Sequence, residues 1–110
     1  MDLSIIIPVA RRENDFKLIK QLREKFKGCE IIIVCDETNE FIKLAKLQVD
    51  QLSFLKNSSR AKALNKGANL SNCKNLWFLH LDSNVEHIQL SDLTGINKFT
   101  VSTFLLKFDI

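Results

Sequence analysis

Residues 76–85, LWFLHLDSNV, decide the fold that this sequence predicts. The stretch begins with an unbroken apolar run, which is typical of a strand covered on both faces in the middle of a parallel sheet. The run ends on Asp82, and the polar residues Ser83 and Asn84 follow. In open α/β sheets, ligands bind in the crevice beyond the carboxyl ends of the strands, so Asp82 is a candidate functional residue. The alternative is that Asp82 starts a turn or caps a short helix.

Two further apolar runs precede this stretch, at residues 3–9 (LSIIIPV) and 30–35 (EIIIVC). Each contains three consecutive isoleucines, which indicates a strand buried on both faces. Pro8 falls at the end of the first run, where a residue that cannot donate to a sheet ladder is tolerated. A shorter run at residues 51–56 predicts an edge strand, and KFTVSTFLLKF at residues 98–108 predicts a last strand.

The segments between these strands have the spacing of apolar residues that is typical of helices. Helices are predicted over residues 15–27, 40–48 and from Ser58 or Ser59 to about residue 70. The candidate N-caps are Asn14 or Asp15 for the first helix and Ser58 or Ser59 for the third, and Gly28 is the expected stop of the first. The side chains predicted to face inward are Phe16, Ile19, Leu22 and Phe26, then Phe41, Leu44 and Ala45, then Ala61, Leu64 and Ala68.

Strands that alternate with helices predict the α/β fold class, with right-handed crossovers and a mostly parallel sheet. We expect one domain over residues 1–110, a three-layer, Rossmann-like arrangement with helices on both faces of the sheet. The loops after the first, second and fourth strands then open at the same edge of the sheet. Polar clusters at residues 10–14, 36–39 and 82–84 would meet there.

The composition narrows the possible classes of function. The chain has 110 residues, 45% hydrophobic and 26% charged, as in an ordinary globular domain. Its net charge of +3 is too small to indicate a nucleic-acid partner, and no apolar run has the length of a transmembrane segment. Cys29, Cys35 and Cys73 are odd in number and lack metal-ligand spacing. We interpret them as reduced, mostly buried thiols of a cytoplasmic protein.

The polar clusters and the start of the third helix contain both cations and carboxylates. The cations can bind an anionic ligand, and the carboxylates can supply hard oxygen ligands to a divalent metal. This combination suits a nucleoside diphosphate bound with Mg²⁺ or Mn²⁺. The alternative for the cations is a solvated surface. The cations are Arg11, Arg12, Arg60 and Lys62, and the carboxylates are Asp36 and Asp82.

Other chemistries lack their motifs. The sequence contains no GxGxxG, Walker A or GxSxG pattern. His87 has no partner at metal-ligand spacing, and the alternative for His80 is a core histidine with satisfied hydrogen bonds. A nucleophilic pair of Cys35 and His80 is conceivable because both follow strands, but nothing in the sequence brings them together.

Four segments, in order, resemble the N-terminal half of inverting family-two glycosyltransferases of the GT-A fold. They are SIIIPVAR, EIIIVCDET, SSRAKALNKGANLS and LWFLHLD, and together they extend over about residues 3–85. The resemblance implies a GT-A half-domain that binds a nucleotide-diphospho-sugar, either a UDP-sugar or a GDP-sugar, with Mg²⁺ or Mn²⁺. The contacts that it implies are Pro8, Ala10, Arg11, Asp36, Arg60 and His80 for the nucleotide-sugar, and Asp82 for the metal.

The sequence also departs from the family pattern. Ala10 and Arg11 stand where the family has an aromatic residue and an asparagine after Pro-Val, and Asp36 alone remains of the acids that end its second strand. His80 replaces the first acid of the DxD metal motif, which resembles a subgroup with Phe-Leu-His-Ala-Asp at this place, and Asp82 keeps the last acid.

No residue matches the family's catalytic base, so we expect a truncated domain that lacks the acceptor half. We further expect a homodimer, or a partner protein, to cover the predicted C-terminal strand. The first hypothesis is a glycosyltransferase that transfers a glycosyl group if a complete active site is assembled. The alternative is a non-catalytic GT-A scaffold that acts as a binding module, because a fold does not determine a function. A nucleic-acid-binding module is disfavoured by the mild charge.

Overall fold

The computed structural model describes residues 2–42, 48–83, 85, 86 and 88, and over these residues the chain has an α/β fold. Four parallel strands and two helices form it. No helix in this part of the chain combines the length and the apolar character needed to cross a membrane. The strands are β1 (Leu3–Val9), β2 (Glu30–Asp36), β3 (Gln51–Leu55) and β4 (Asn75–Phe78), and the helices are α1 (Lys17–Lys25) and α2 (Arg60–Leu70).

The sheet has the strand order β3-β2-β1-β4, and every neighbouring pair is parallel. This confirms the predicted parallel sheet and, within the described residues, the edge position of β3. Ile6 in β1 lies beside Ile32 of β2 and Phe78 of β4, so β1 is covered by strands on both sides. The loops that follow β1, β2 and β4 therefore leave the sheet at the same edge.

Strand β4 is shorter than the apolar run predicts. It ends at Phe78, and within the described residues β1 is its one neighbour. After Phe78 one further backbone bond reaches β1, from Leu79 N to Ile6 O at 3.0 Å. Leu81 is nevertheless buried, because the chain turns back onto the core. Strand pairing therefore accounts for the apolar residues up to Phe78. The later ones, Leu79 and Leu81, are apolar because they pack in the core.

The isoleucine-rich strands β1 and β2 supply two separate buried clusters. Successive side chains of a strand point to opposite faces of the sheet, so Ile5 and Ile7 belong to one cluster and Ile6 to the other. The larger cluster contains Leu18, Ile19, Leu22 and Phe26 from the first helical segment, and the smaller one contains Ala63 and Leu64 of α2.

The two helices begin and end differently. In α1 the cap position is Phe16, whose side chain makes no capping bond, but Asp15 Oδ1 accepts a bond from Lys17 N at 3.1 Å. Helix α1 ends at Lys25 with Phe26 as its C-cap, so the predicted stop at Gly28 is wrong. Gly28 lies in the turn beyond the cap and has a left-handed φ of 90°, which glycine adopts readily. In α2 Ser59 is the N-cap, and its Oγ accepts from Lys62 N at 3.3 Å.

For two residues, Ala61 and Phe41, the predicted inward orientation is wrong. Ala61 is exposed, and the buried face of α2 includes Gly67. A Cβ at Gly67 would overlap Ile6 Cγ2, so this face packs through its smallest residue, which an apolar pattern does not reveal. Phe41 is 44% exposed, whereas its neighbour Ile42 is buried.

Several predictions fall on residues outside the described ones. They concern residues 43–47 of the second predicted helix, Asn84, His87 and the predicted strand over residues 98–108.

The amino-terminal edge of the sheet is held by a buried serine. Ser4 is fully buried, and its Oγ donates to Glu30 Oε1 at 2.6 Å and lies 2.6 Å from Ser71 Oγ. Glu30 also accepts from Asn72 N at 2.9 Å and from Asn72 Nδ2 at 2.7 Å. Gln51 Nε2 lies 3.3 Å from Glu30 Oε2. The starts of β1, β2 and β3 are thus linked to the loop that leads into β4.

Candidate functional site

A cleft of about 350 Å³ opens at the carboxyl edge of the sheet. It lies between the loop after β1, the end of β2 and the start of α2, which is where an open α/β sheet places its ligands. All six residues predicted to contact a nucleotide-sugar border this one cleft. Its lining is Pro8, Val9, Ala10, Arg11, Glu13, Asp36, Ser58, Ser59, Arg60 and His80.

The loop after β1 carries Arg11 on a closed turn. Glu13 N donates to Ala10 O at 3.3 Å, and Glu13 Oε1 accepts from Ala10 N at 2.8 Å. The turn is therefore closed by the backbone and by a side chain. Arg11 lies between these two residues and is exposed, so its guanidinium can reach a ligand in the cleft. Arg12, the other predicted cation of this loop, does not border the cleft.

Asp36 ends β2 as an ionised carboxylate. Its Oδ1 accepts from both the hydroxyl and the amide of Thr38, the latter at 2.8 Å. These two bonds hold the pKa of Asp36 below its ordinary value of 3.8. Desolvation opposes the two Thr38 bonds but is weaker than either of them, and the Arg11 guanidinium and a bond from the Ser58 amide lower the pKa by smaller amounts. The carboxylate is therefore negatively charged at neutral pH.

The third wall of the cleft is the beginning of α2. Ser58, Ser59 and Arg60 border the cleft, and the first turn of the helix contains no acidic residue. The unpaired amides and the partial positive charge at a helix N-terminus attract anions. Lys62, although in the same turn, does not border the cleft. Of the four predicted cations, two therefore border the cleft: Arg11 on the loop after β1 and Arg60 at the start of α2.

Asp82 lies apart from this cleft. It borders a second hollow of about 290 Å³, and the turn that carries it is closed by bonds from Ser83 N to His80 O and from His80 N to Ser83 Oγ, each 3.0 Å. Within this turn, His80 borders the cleft and Asp82 borders the neighbouring hollow. Asp36 and Arg60 thus border the cleft, whereas Asp82 borders the adjoining hollow, and Asp82 lies in a turn, as its alternative interpretation predicts.

Glu13 borders both the cleft and the second hollow. Within the described residues, no three carboxyl, imidazole or thiol side chains are grouped so that they could hold a metal by themselves. Mg²⁺ in proteins is often bound by one or two carboxylates together with phosphate oxygens of the ligand. Asp82 and Glu13 fit that donor set only if a bound ligand supplies the remaining oxygens.

The conceivable pair of Cys35 and His80 is not assembled. Cys35 is buried, and desolvation together with the nearby carboxylates of Asp36 and Glu13 raises its pKa to about 11. Its thiol stays protonated at neutral pH and is a poor nucleophile. His80 is exposed in the cleft, so the alternative of a core histidine is wrong. Cys29, Cys35 and Cys73 form no disulfide with one another.

Sequence reasoning missed two residues of this region. Glu13 could have been suspected, because it stands three residues after Ala10 in a loop rich in donors. Nothing in the sequence indicates that Asn39 is buried, because it is a polar residue in a loop; in the structure it is fully buried. Its side chain joins the loops after β1 and β2.

No protein-family model matches the sequence, and no curated protein is significantly similar to it. The resemblance to family-two glycosyltransferases therefore depends on the four segments alone.

Proposed function

We propose that the cleft binds the diphosphate and the nucleoside of a UDP-sugar or a GDP-sugar, and that the chain is a glycosyltransferase-like protein. One observation carries the proposal. Arg11, from the loop after β1, and Arg60, the first residue of α2, border the same cleft at the carboxyl edge of the sheet, and the ionised Asp36 at the end of β2 borders it as well. Cations and an anion in one cleft suit a ligand that has both phosphates and hydrogen-bond donors.

The diphosphate is assigned to the two arginines that border the cleft. Arginine binds phosphate oxygens through two parallel N–H bonds, and such charge-assisted bonds are stronger than neutral ones. The N-terminus of α2 adds backbone amides and a favourable dipole, with Ser59 already serving as its cap.

The nucleoside is assigned to Asp36. Thr38 occupies Oδ1 of this carboxylate, and a nucleobase N–H or a ribose hydroxyl is a suitable donor to the other oxygen. His80 and Pro8 also border the cleft and supply an aromatic and an apolar surface.

The proposal includes Mg²⁺ or Mn²⁺ held by Asp82 and Glu13 together with phosphate oxygens of the ligand. When bound, such a cation stabilises the negative charge that develops on a departing diphosphate. The chain's own residues bind and orient the nucleotide, and the arginines neutralise its charge. Glycosyl transfer in addition needs a base for the acceptor, which we assign to no residue of this chain.

The proposed architecture is the GT-A half-domain, three layers with helices on both faces of the sheet. The assignment of α1 and α2 residues to two different clusters supports it. We also propose that a second copy or a partner protein covers the C-terminal strand that the sequence predicts over residues 98–108. A cytoplasmic location, inferred from cysteine usage, remains part of this proposal.

The test is ligand binding measured by calorimetry and by thermal shift with UDP, GDP and their sugars, with and without Mn²⁺. A ligand that binds the native state raises its melting temperature by mass action. Arg11→Gln and Arg60→Gln should each weaken binding about tenfold, the loss expected for one charge-assisted bond. Arg12→Gln and Lys62→Gln are matched controls, because each removes one positive charge next to the cleft but outside it.

The proposal fails if no nucleotide shifts the melting temperature, or if the two controls weaken binding as much as the two cleft variants. The latter result would mean that only the general positive charge of the surface attracts the ligand.

A non-catalytic binding module is the second candidate, and the position of Asp82 outside the cleft favours it. Asp82→Ala distinguishes the two. For a metal-dependent glycosyltransferase, this variant should lose the additional thermal shift that Mn²⁺ gives with UDP. For a binding module, UDP should bind equally with and without Mn²⁺, and the variant should bind like the wild type. Asp15→Ala, from the rim of the same hollow, is the control for lost charge.

A further inference from the structure

Asn39 is a fully buried polar side chain whose hydrogen-bonding capacity is entirely used. Its Nδ2 donates to Ala10 O at 2.7 Å and to Glu13 O at 2.9 Å. Its Oδ1 accepts from Phe41 N at 2.8 Å and from Ile42 N at 3.0 Å. Four good bonds on one buried amide fix the side chain in a single orientation.

The two carbonyls that Asn39 binds are the two ends of the turn that carries Arg11. Ala10 O also accepts the bond from Glu13 N that closes this turn. On its own loop, Asn39 N donates to Asp36 O at 3.0 Å, next to the carboxylate that Thr38 orients. One side chain therefore connects the loop of Arg11 with the loop of Asp36, while lying outside the cleft itself.

We propose that Asn39 is a positioning residue, which fixes Arg11 relative to Asp36 and thereby sets the affinity of the cleft for a nucleoside diphosphate. This inference rests on the proposed function. Asparagine suits the role because it offers two donors on one side and an acceptor on the other. An aspartate of the same shape has no donor, and its charge would face two carbonyl oxygens. It would keep the bonds from Phe41 N and Ile42 N but release the turn.

The first experiment needs no ligand. Amide hydrogen exchange of Ala10 and Glu13 is measured by NMR in the wild type and in Asn39→Asp. Exchange of both amides should become about tenfold faster in the variant, because both bonds belong to the turn that Asn39 holds. The control is Ser4→Ala, which removes another fully buried polar side chain, from the opposite edge of the same sheet. It should leave both amides unchanged. Equal exchange in Asn39→Asp and the wild type overturns the inference.

The second experiment is a double-mutant cycle on UDP affinity. Asn39→Asp should weaken binding about tenfold, and Arg11→Gln should then have little further effect, because the arginine is already displaced. Arg60→Gln should remain additive with Asn39→Asp, since α2 holds this arginine independently. Ser4→Ala should lower the melting temperature without weakening binding. A purely structural role predicts additivity with both arginines, and that result overturns the inference.

These experiments separate the failure of this inference from the failure of the proposed function. Faster exchange without any UDP binding to the wild type contradicts the proposed function and leaves the coupling of the two loops standing. UDP binding that Asn39→Asp does not change contradicts the inference alone. If Asn39→Asp does not fold, Asn39→Ser, which removes the amide without adding a charge, takes its place. A failure of both variants to fold assigns Asn39 a structural role and overturns the inference.

Discussion

At the scale of single residues, Thr38 lowers the pKa of Asp36, the carboxylate that borders the cleft. Its hydroxyl and its amide both bind Oδ1 of that carboxylate, and they keep its pKa below 3.8. Thr38→Val removes the hydroxyl but leaves the amide, so the pKa of Asp36 should rise toward its ordinary value. NMR titration of the Asp36 carboxyl measures this directly, and Thr38→Ser, which keeps the hydroxyl, should leave the pKa low.

The direction of the accompanying effect on stability follows from linkage. A carboxyl whose pKa is lower in the folded protein stabilises the fold above the unfolded-state pKa, and this contribution is lost as the pH falls through the folded-state pKa. Thr38→Val should therefore lose less stability than the wild type on acidification below pH 3.8. An unchanged titration of Asp36 in this variant would contradict the role given to the hydroxyl.

The sequence predicts that a residue borders the cleft when the order of strands and helices alone determines its position. Pro8, Asp36 and Arg60 lie at the ends of strands or at the start of a helix, and parallel pairing brings such positions to one edge. Asp82 could not be placed this way, because the turn after β4 decides which hollow it enters. Asn39 could not be predicted either, since its burial depends on carbonyls 26 and 29 residues away in sequence.

At the scale of elements, α2 packs closely against the sheet at Gly67, where no space is left for a Cβ beside Ile6. At an exposed helix position, replacing glycine with alanine stabilises a protein by about 1 kcal/mol through helix propensity. Here the added Cβ overlaps Cγ2 of Ile6, a fully buried, β-branched side chain in the central part of the sheet. Overpacking of this kind costs about 1–3 kcal/mol, so we expect a net loss of stability.

Urea denaturation measures this loss. Asn69→Ala, at an exposed position of the same helix, is the control and should stabilise the protein slightly through propensity alone. If Gly67→Ala were as stable as the wild type, the helix would lie further from β1 than the structure has it.

The strands and the two described helices could be predicted because their signals are local. Runs of isoleucine, the serine before α2 and the glycine after α1 each act within a few residues. The faces of α2 could be predicted only in part. Leu64 is apolar and buried as expected, but Gly67 is buried because it is small, and no apolar pattern contains that information.

At the scale of the whole molecule, Glu30 connects the starts of three strands at the amino-terminal edge. Burial alone would raise its pKa, but hydrogen bonds from Ser4, Asn72 and Gln51 outweigh burial and hold the pKa below its ordinary value of 4.5. The stabilisation from this carboxylate is therefore complete above pH 4.5 and is lost as the pH falls through the lower pKa of the folded state.

Glu30→Gln should consequently be less stable than the wild type at pH 7, and the difference should shrink as the pH is lowered below 4.5. Urea unfolding at pH 7, 4 and 3 measures the difference, with Glu24→Gln, at an exposed position of α1, as the control for lost charge. If the difference in unfolding free energy between Glu30→Gln and the wild type did not change with pH, the negative charge of Glu30 would not be the source of its stabilising effect.

The parallel order of the sheet places Ser4 and Glu30 at one edge and the candidate cleft at the other. The side chains that link the strands at the amino-terminal edge are therefore different from those that line the cleft at the carboxyl edge. Evolution, or a protein engineer, could diversify the loops that follow the strands to recognise new molecules, while the opposite rim preserves the scaffold on which each new specificity is built.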